Sequence, residues 1–313
     1  MSHLYQITNC LLCGSSKSQT VYTTKTHMMN DDGARFHFEC CKECQLIYLN
    51  PQVLETHLAD YYPSYYLPYR GAKAWGKFAK LVEMSQRRID LKRVKIARKF
   101  LYNSDARVLD VGCGNPTFLH HLSKFGYNCT GLDFKSEGWE GYSNGNERLD
   151  LIQQDAIDHQ SESAYDLITM WHYLEHDYHP HQTLKHLHNL SHANSRLVIE
   201  VPDYDSISRK FFGTYWEGFH APRHTAIYTS ATLKKMLNSS GWEVEESLKY
   251  GTLDSYSLWW MSKMERKEID WSASMEPHFW GYVRGMISTT PLLLLKPWLK
   301  TGVQLVTARP QKS

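Results

Sequence analysis

No run of eighteen consecutive apolar residues occurs in the 313-residue chain, which excludes a membrane-spanning helix of ordinary length. The opening residues, MSHLYQITNC, lack the apolar core of a secretory signal and the Arg-rich character of a transit segment. Net charge is nearly absent: 35 Lys and Arg against 33 Asp and Glu leave +2, too little for a global attraction to nucleic acid. Repeats and low-complexity segments are missing as well. The cysteines lack the parity and spread of a disulfide framework, being seven in number with five of them before residue 45. These absences predict a cytoplasmic globular protein. Apolar residues at 42% and charged residues at 22% suffice for one large domain with a small appendage.

Three textures follow one another along the chain. Residues 1–66 are polar and cysteine-bearing, with turn signals at Cys13-Gly14 and Asp31-Asp32-Gly33 and hairpin-like runs at Gln19–Thr24 and Arg35–Glu39. Residues 67–104 make a linking segment dominated by a predicted helix over 73–102, with Phe78, Leu81, Val82, Met84, Ile89, Val94, Ala97 and Phe100 on its apolar stripe. Eleven basic residues fall between Arg70 and Lys99, against only Glu83 and Asp90 as acids. Base-stacking aromatics are not interleaved with them, so a solvated helix face is the better reading than an RNA contact. From residue 105 to 313 short apolar runs alternate with helical stretches, which predicts a doubly wound α/β domain with a Rossmann-like parallel sheet. Seven strands are expected, at Arg107–Val111, Cys129–Asp133, Leu149–Gln153, Tyr165–Met170, Arg196–Val201, Trp242–Leu248 and Gly302–Arg309. Residues 203–230 and 251–300 break the alternation and are candidate substrate or lid insertions.

Cys10-x2-Cys13 and Cys41-x2-Cys44, separated by 27 residues, offer two pairs of thiolates on tight turns, the donor set of a tetrahedral Zn2+ site. A small front module of this kind has little core of its own, so metal would supply much of its folding energy. Four thiolates close the shell, which makes this zinc structural. Cys40 adjoins Cys41 and is an alternative ligand, although the two-residue gap favours Cys41.

The run Val108-Leu109-Asp110-Val111-Gly112-Cys113-Gly114-Asn115-Pro116 is a strand leading into a glycine turn and then a helix, a place where backbone can approach a nucleotide closely. Asp133 closes the next strand, where a carboxylate can take both ribose hydroxyls, and Asp155-Ala156 follows the third, within reach of an adenine. A dinucleotide turn would carry a further glycine at its sixth position. Here an acid opens the motif instead, and Asp110 is placed to hold the ammonium group of S-adenosylmethionine.

Val108 to Phe118, Asp133, Asp155 and the run Asp166 to His176, ending Leu174-Glu175-His176, resemble class I methyltransferases, and more narrowly the ubiquinone-pathway O-methyltransferases. Phe36 to Tyr66, with its CxxC, Asn50-Pro51 and paired tyrosines, is similar to the zinc modules of deoxysugar C-methyltransferases. The resemblance covers residues 10 to about 250 and implies a seven-stranded sheet with its last strand antiparallel. It implies a cofactor set of Asp110, Gly112, Cys113, Gly114, Asp133, Phe134, Asp155, Ala156 and Trp171. Pro116 stands where the family has a third glycine, and the chain is too short for the C-terminal domain of the sugar enzymes.

Methyl transfer needs an oriented acceptor, a dry site and a base for the departing proton. His172 and His176, four apart and so expected on one helix face, and the cluster His220 to His224 with Tyr228 lie beyond the ends of the fourth and fifth strands. By family resemblance His224 is the first candidate base, His176 the second and His172 a third. Seven histidines between 172 and 192 lack a clear carboxylate pattern, which favours a solvated histidine-rich helix over a metal site. Tyr61, Tyr62, Tyr65 and Tyr66 can either fold over the cofactor mouth or pack the domain junction. The stretch 278–300, with Leu292 to Leu295, Lys296 and Trp298, reads as a buried lid or as a shallow membrane contact through about 286–300 that suits a lipid-linked acceptor. The expected acceptor is a small or carrier-linked metabolite: a sugar, a quinone or phenol, or a lipid-linked group. An rRNA methyltransferase with a zinc ribbon, or a non-catalytic zinc scaffold, are the alternatives.

Overall fold

A computed structural model describes residues 3–30, 33–142, 146–295 and 298–311, and of Leu292 and Leu293 the backbone alone. The predicted turn at Asp31-Asp32 and the predicted headgroup contact of Lys296 fall on residues outside that description. In chain order the front segment supplies β1 (Ser18–Thr24), β2 (Phe36–Cys41) and β3 (Ile47–Leu49), followed by the helix α1 (Ala79–Ala97). The large domain then runs β4 (Arg107–Val111), α2 (Thr117–Ser123), β5 (Asn128–Asp133), β6 (Leu149–Gln153), β7 (Tyr165–Trp171), α3 (Pro180–Asn189) and β8 (Ser191–Pro202). It closes with β9 (Ala226–Ile227), α4 (Ser230–Ser239), β10 (Trp242–Leu248), α5 (Ser255–Arg266), α6 (Phe279–Leu294) and β11 (Val303–Pro310).

The main sheet has seven strands in the order β10-β11-β8-β7-β4-β5-β6. Strands β4 to β8 pair in parallel, and β11 runs antiparallel to both β8 and β10. The inner strands β4, β7 and β11 and the second half of β8 are buried on both sides because helices cover both faces, whereas the edge strands β6 and β10 are partly exposed. Leu109, Ile168, Ile199 and Val306 meet Leu184, Leu187, Leu233 and Met236 of α3 and α4, while Val108, Leu167, Val198 and Leu305 meet Val94, Phe118 and Leu122 of α1 and α2. Strand β4 is central, and the sheet order reverses beside it. Ligands in such sheets bind beyond the carboxyl ends of the strands at that reversal, so the fold puts the glycine turn where a nucleotide would lie.

The front segment is continuous with the rest of the molecule. Its four-stranded sheet has the order β9-β3-β2-β1, so its edge strand comes from beyond residue 203. Cys10, Cys41, Cys44, Leu46 and Tyr48 belong to the same buried cluster as the α3–α4 face of the main sheet.

The linking segment departs from expectation. In place of one helix over 73–102, a 3-10 stretch, Gly71–Phe78, breaks at Gly76 (φ 53°), and α1 begins only at Ala79. A Cβ at Gly76 would run into the Glu276 carboxylate, which also accepts the Lys77 N–H at 3.2 Å. The stripe is divided: Val94 and Ala97 are buried against the main sheet, Phe78 and Val82 pack on the cluster around Trp75 and Phe279, and Leu81 and Met84 stay more than half exposed. The stretch 278–300 is packed in its first half, where Phe279 is buried and Tyr282, Val283 and Met286 join the cluster of Trp75 and Trp260. Leu294 is 72% and Trp298 70% exposed, and the start of α6 packs against α5 and, through Phe279 and Tyr282, against Trp75 and Phe78. No helix among the described residues is long and apolar enough to cross a membrane.

Candidate functional site

Four thiols meet in the front segment. Cys10 Sγ lies 3.5 Å from Cys44 Sγ and Cys13 Sγ 3.5 Å from Cys41 Sγ, and all four sulfurs fall within 4.8 Å of one another. A tetrahedral shell with bonds of ~2.3 Å sets sulfurs ~3.8 Å apart, so the quartet fits one. The two knuckles are built alike. The Cys10 carbonyl accepts the Gly14 N–H at 2.9 Å and the Cys41 carbonyl the Gln45 N–H at 3.0 Å, with Gly14 (φ 72°) and Gln45 (φ 67°) both left-handed. Cys40 stands apart, its Sγ directed to the Cys41 carbonyl and the Gln45 amide oxygen.

At the end of β4 the glycine turn has the required backbone. Gly112 (φ 72°) and Gly114 (φ 48°) are left-handed, and a Cβ on Gly112 would strike the ring of Tyr173. Asp133 Oδ2 accepts the Gly114 N–H at 2.8 Å, which ties the carboxylate at the end of β5 to the turn. Asp110 is buried and accepts the Thr169 hydroxyl at 2.6 Å; burial pushes its carboxyl up to about 7 despite that bond. Cys113 is buried below the turn, and Phe134 is exposed beside Asp133. Asp155 caps a short 3-10 turn by accepting the Ile157 N–H at 3.1 Å, with Ala156 buried behind it. Trp171 ends β7 inside the core, edge-on to Phe118 and 5.0 Å beneath the Arg93 guanidinium, with its indole N–H unpartnered. Trp139, which the motif did not flag, donates its indole N–H to the Gly114 carbonyl at 2.8 Å. The residues around Gly112, Gly114, Asp110 and Asp133 could hold a nucleotide-type cofactor; Trp171 is committed to packing.

The second half of the site lies past β7 and β8. His172 and His176 do not share a helix: β7 stops at Trp171, His172 is left-handed (φ 59°), and α3 begins only at Pro180. The fixed φ of proline suits a first helical turn, so the chain reverses before the helix starts. His172 is held by two carboxylates, Nδ1 to Glu175 at 3.3 Å and Nε2 to Glu200 at 3.0 Å. Burial works against its charge, but hydrogen bonds and charge from Glu175 and Glu200 lift it to about 9. Glu200, although buried, is held at about 2 by His172 and also accepts the N–H groups of Thr252 and Leu253. His172, its side chain 22% exposed, is therefore a half-buried imidazolium and a poor base.

His176 and His224 are different. Their rings lie 4.5 Å apart, edge to face. Burial pushes both pKa values down, so both rings are neutral. The backbone carbonyl of Arg223 accepts from His176 Nδ1 at 3.2 Å and that of Gly218 from His224 Nδ1 at 2.8 Å. Since a carbonyl only accepts, each ring carries its proton on Nδ1 and a lone pair on Nε2. His220 is engaged elsewhere, with Tyr66 Oη at 2.6 Å and Glu217 at 2.5 Å. Tyr228, directly after β9, is fully buried in the core shared with α3, α4 and the cysteine knuckles. The other histidines of the 172–192 run are tied down singly: His181 to the Ser239 carbonyl, His186 to the His159 carbonyl and His192 to Asp166. His179 and His192 are exposed, and His181, His186 and His188 are half-buried, so the run is a partly solvated face with individual anchors.

The tyrosines bridge the two halves. Tyr62 lies 6.3 Å from the Phe134 ring and 5.3 Å from the Arg223 guanidinium, and Tyr66 sits 4.6 Å from that guanidinium. Arg223 is fully buried and donates to the carbonyls of Tyr61 and His27. The tyrosine arm thus covers the space between Asp133 and the histidines. Sequence reasoning missed Glu175, Glu200 and Arg223. A readable signal existed for Glu200, a lone carboxylate within the apolar run Leu197–Val201.

The family described as a methyltransferase domain matches residues 83–247, just over half of the chain. No protein of curated function matches in sequence. Among solved structures, the chain is similar to the Burkholderia thailandensis 1,6-didemethyltoxoflavin-N1-methyltransferase with bound 1,6-didemethyltoxoflavin and S-adenosylhomocysteine. That match has 14% identity over 87% of this chain and 98% of that one, with a TM-score of 0.50. A chain of the complex between the Haloferax volcanii Trm112 methyltransferase activator and a methyltransferase is similar at 15% identity over 77% and 98%, with a TM-score of 0.51. At these identities the likeness is one of fold.

The His172 pair has a pH consequence. Its folded pKa of about 9 lies above the ordinary imidazole value, so its contribution to stability is complete below about pH 6.5 and is lost as pH rises through 9. Glu200→Gln should bring the His172 titration, followed by NMR, down toward the ordinary range; a value still near 9 would assign the shift to another group.

Proposed function

Because the chain belongs to the methyltransferase-domain family and is an S-adenosylmethionine-dependent methyltransferase, we propose that it methylates a small or carrier-linked acceptor, at oxygen or carbon, beside His176 and His224. The observation that carries this reading is the pair of neutral rings whose Nε2 lone pairs are left free under the tyrosine arm. S-adenosylmethionine supplies an activated methyl group on a sulfonium. Asp133 would take the ribose hydroxyls, Asp110 the ammonium group, Asp155 and Ala156 the adenine edge, and the two left-handed glycines the close backbone approach. His224 would accept the acceptor's proton on Nε2, with His176 beside it as the second candidate. His172, already charged, orients Glu175 instead of taking a proton. Tyr62 and Tyr66 exclude water, which strengthens each polar contact beneath them. The bound acceptor of the Burkholderia structure, a small molecule, favours the same class here.

The direct test is incubation with methyl-labelled cofactor and fractionated cell extract. Label should enter small-molecule or lipid fractions; label in RNA, falling steeply with salt, would replace this reading with the rRNA one. Asp133→Ala should weaken cofactor binding about 10–100-fold, the worth of charged hydrogen bonds. His224→Ala should slow the chemical step by about 10²-fold or more at unchanged cofactor affinity, and unchanged turnover would remove it as the base.

The cysteine quartet is assigned to a structural Zn2+, supported by its sulfur spacing. Metal analysis should find zinc retained in Cys40→Ser and lost in Cys41→Ser. Loss of metal should expose residues before 66 to proteolysis, because front sheet and knuckles share one core. Retention in Cys41→Ser would make the ligand set wrong.

A peripheral membrane contact is supported by α6. Trp280, Ile287 and Leu294, seven apart and on one face, are 60%, 64% and 72% exposed, and no acidic residue follows Glu276. The chain should sediment with phosphatidylserine vesicles and lose that in Trp280→Ser/Ile287→Ser; equal sedimentation of the variant would sink the contact.

A further inference from the structure

We propose that Glu175, His176 and His224 together form a divalent-cation site within the acceptor pocket, distinct from the cysteine quartet. One ligand atom from each of the three falls within 4.8 Å of the others. Both imidazoles are already arranged as metal ligands usually are. Each has its Nδ1 proton fixed on a backbone carbonyl, Arg223 for His176 and Gly218 for His224, which sets the tautomer and leaves Nε2 to bind. The third donor has an unfilled valence. Glu175 is 1% exposed; its Oε1 is taken by His172, while its Oε2 is buried with no hydrogen-bond partner. A buried carboxylate oxygen without a partner loses its hydration uncompensated, so this position calls for one.

The charges nearby nearly balance, with Glu175 and Glu200 opposed by the His172 imidazolium and the Arg223 guanidinium. The local field therefore draws no hard cation strongly, and binding must come from ligation. Two imidazoles and one carboxylate favour Zn2+, Fe2+ or Co2+ over Mg2+ or Ca2+. Three protein ligands also leave a coordination position open, unlike the closed four-cysteine shell. The site deepens the methyl-transfer reading and rests on it for its role. An acceptor bearing an ionisable oxygen would reach the open position, and the cation would lower the pKa of that oxygen before the methyl group is transferred. The oxygen's proton would pass to water as the acceptor enters, and the methyl would then move from sulfur to that oxygen with S-adenosylhomocysteine as the leaving group. In this cation-bound form His176 and His224 are ligands, in place of the proton-accepting role given to His224 above.

The test needs no known acceptor, so its failure is separable from failure of the methylation reading. The untagged full chain, with zinc retained in its cysteine site and weakly held metal removed by dialysis against a chelator, is titrated with Co2+. A second equivalent should bind with the weak visible bands of nitrogen and oxygen ligation, without the intense thiolate-to-cobalt absorption. Glu175→Gln and His224→Gln should each weaken that equivalent by at least ~10-fold while the zinc content stays unchanged. Absence of a second equivalent in the folded wild type, or equal Co2+ affinity in both variants, overturns the site. Should the variants unfold, paramagnetic broadening by Co2+ in the wild type must fall on the ring resonances of His176 and His224. Broadening confined to other histidines overturns the proposal in the same way.

Discussion

A charged imidazole with a carboxylate on each ring nitrogen sits where the chain leaves the fourth parallel strand. His172 binds Glu200 of β8, which also accepts the N–H groups of Thr252 and Leu253, and Glu175, whose carbonyl accepts the Thr225 N–H at 2.7 Å. Three separate segments, the turn after β7, the loop before α5 and the approach to β9, are thus fixed against one charge. Removing His172 would leave the carboxylates of Glu175 and Glu200, 1% and 0% exposed, without their shared cation in a low-dielectric interior, where a broken pair costs about 3–5 kcal/mol. The left-handed backbone of His172 is tolerable because these contacts over-determine it.

The front segment belongs to the same constraint. Its sheet takes β9 as an edge strand, and β9 follows directly on His224 and Thr225. Its tyrosines reach from the front sheet to Phe134 on one side and Arg223 on the other. A change in the cysteine knuckles would therefore be felt at the acceptor pocket through β3 and β9, although no thiol approaches the reacting groups. A metal held by the four thiols would thereby also brace β9, the strand that follows His224 and Thr225.

The main sheet was legible because strands covered on both faces are apolar runs, and all seven fell within a few residues of the expected positions. Asp110, Gly112, Gly114 and Asp133 were legible for a related reason: a glycine turn after a buried strand has few uses, and a second-strand acid narrows them further. What was not legible depended on tertiary contact. Nothing local distinguishes Leu81 and Met84, which stay exposed, from Val94 and Ala97, which do not; only the position of α2 decides it. The pattern of four between His172 and His176 mimicked a helix because the reversal at Trp171 has no proline or glycine to announce it. The pairing of Glu175 with His172, and the opposite fates of His172 and His224, come from residues far apart in sequence.

Those opposite fates organise the site's electrostatics. On the cofactor side, Asp110 is pushed up to about 7 by burial, so near neutrality it is poised between its two forms. A cationic group beside it would favour the ionised form, which couples occupancy of that side to release of a proton. On the acceptor side the charge is already locked into His172 and its two carboxylates, and the two rings nearest the pocket are neutral. A positive methyl donor thus meets an acidic side that can adjust its charge and faces a side that adds no cation from His176 or His224. If those two rings were protonated, they would repel the sulfonium and lose the lone pairs on which any role in proton removal or ligation depends. Deep burial of His224 keeps its ring neutral, which is the form that a base or a ligand at that position would need.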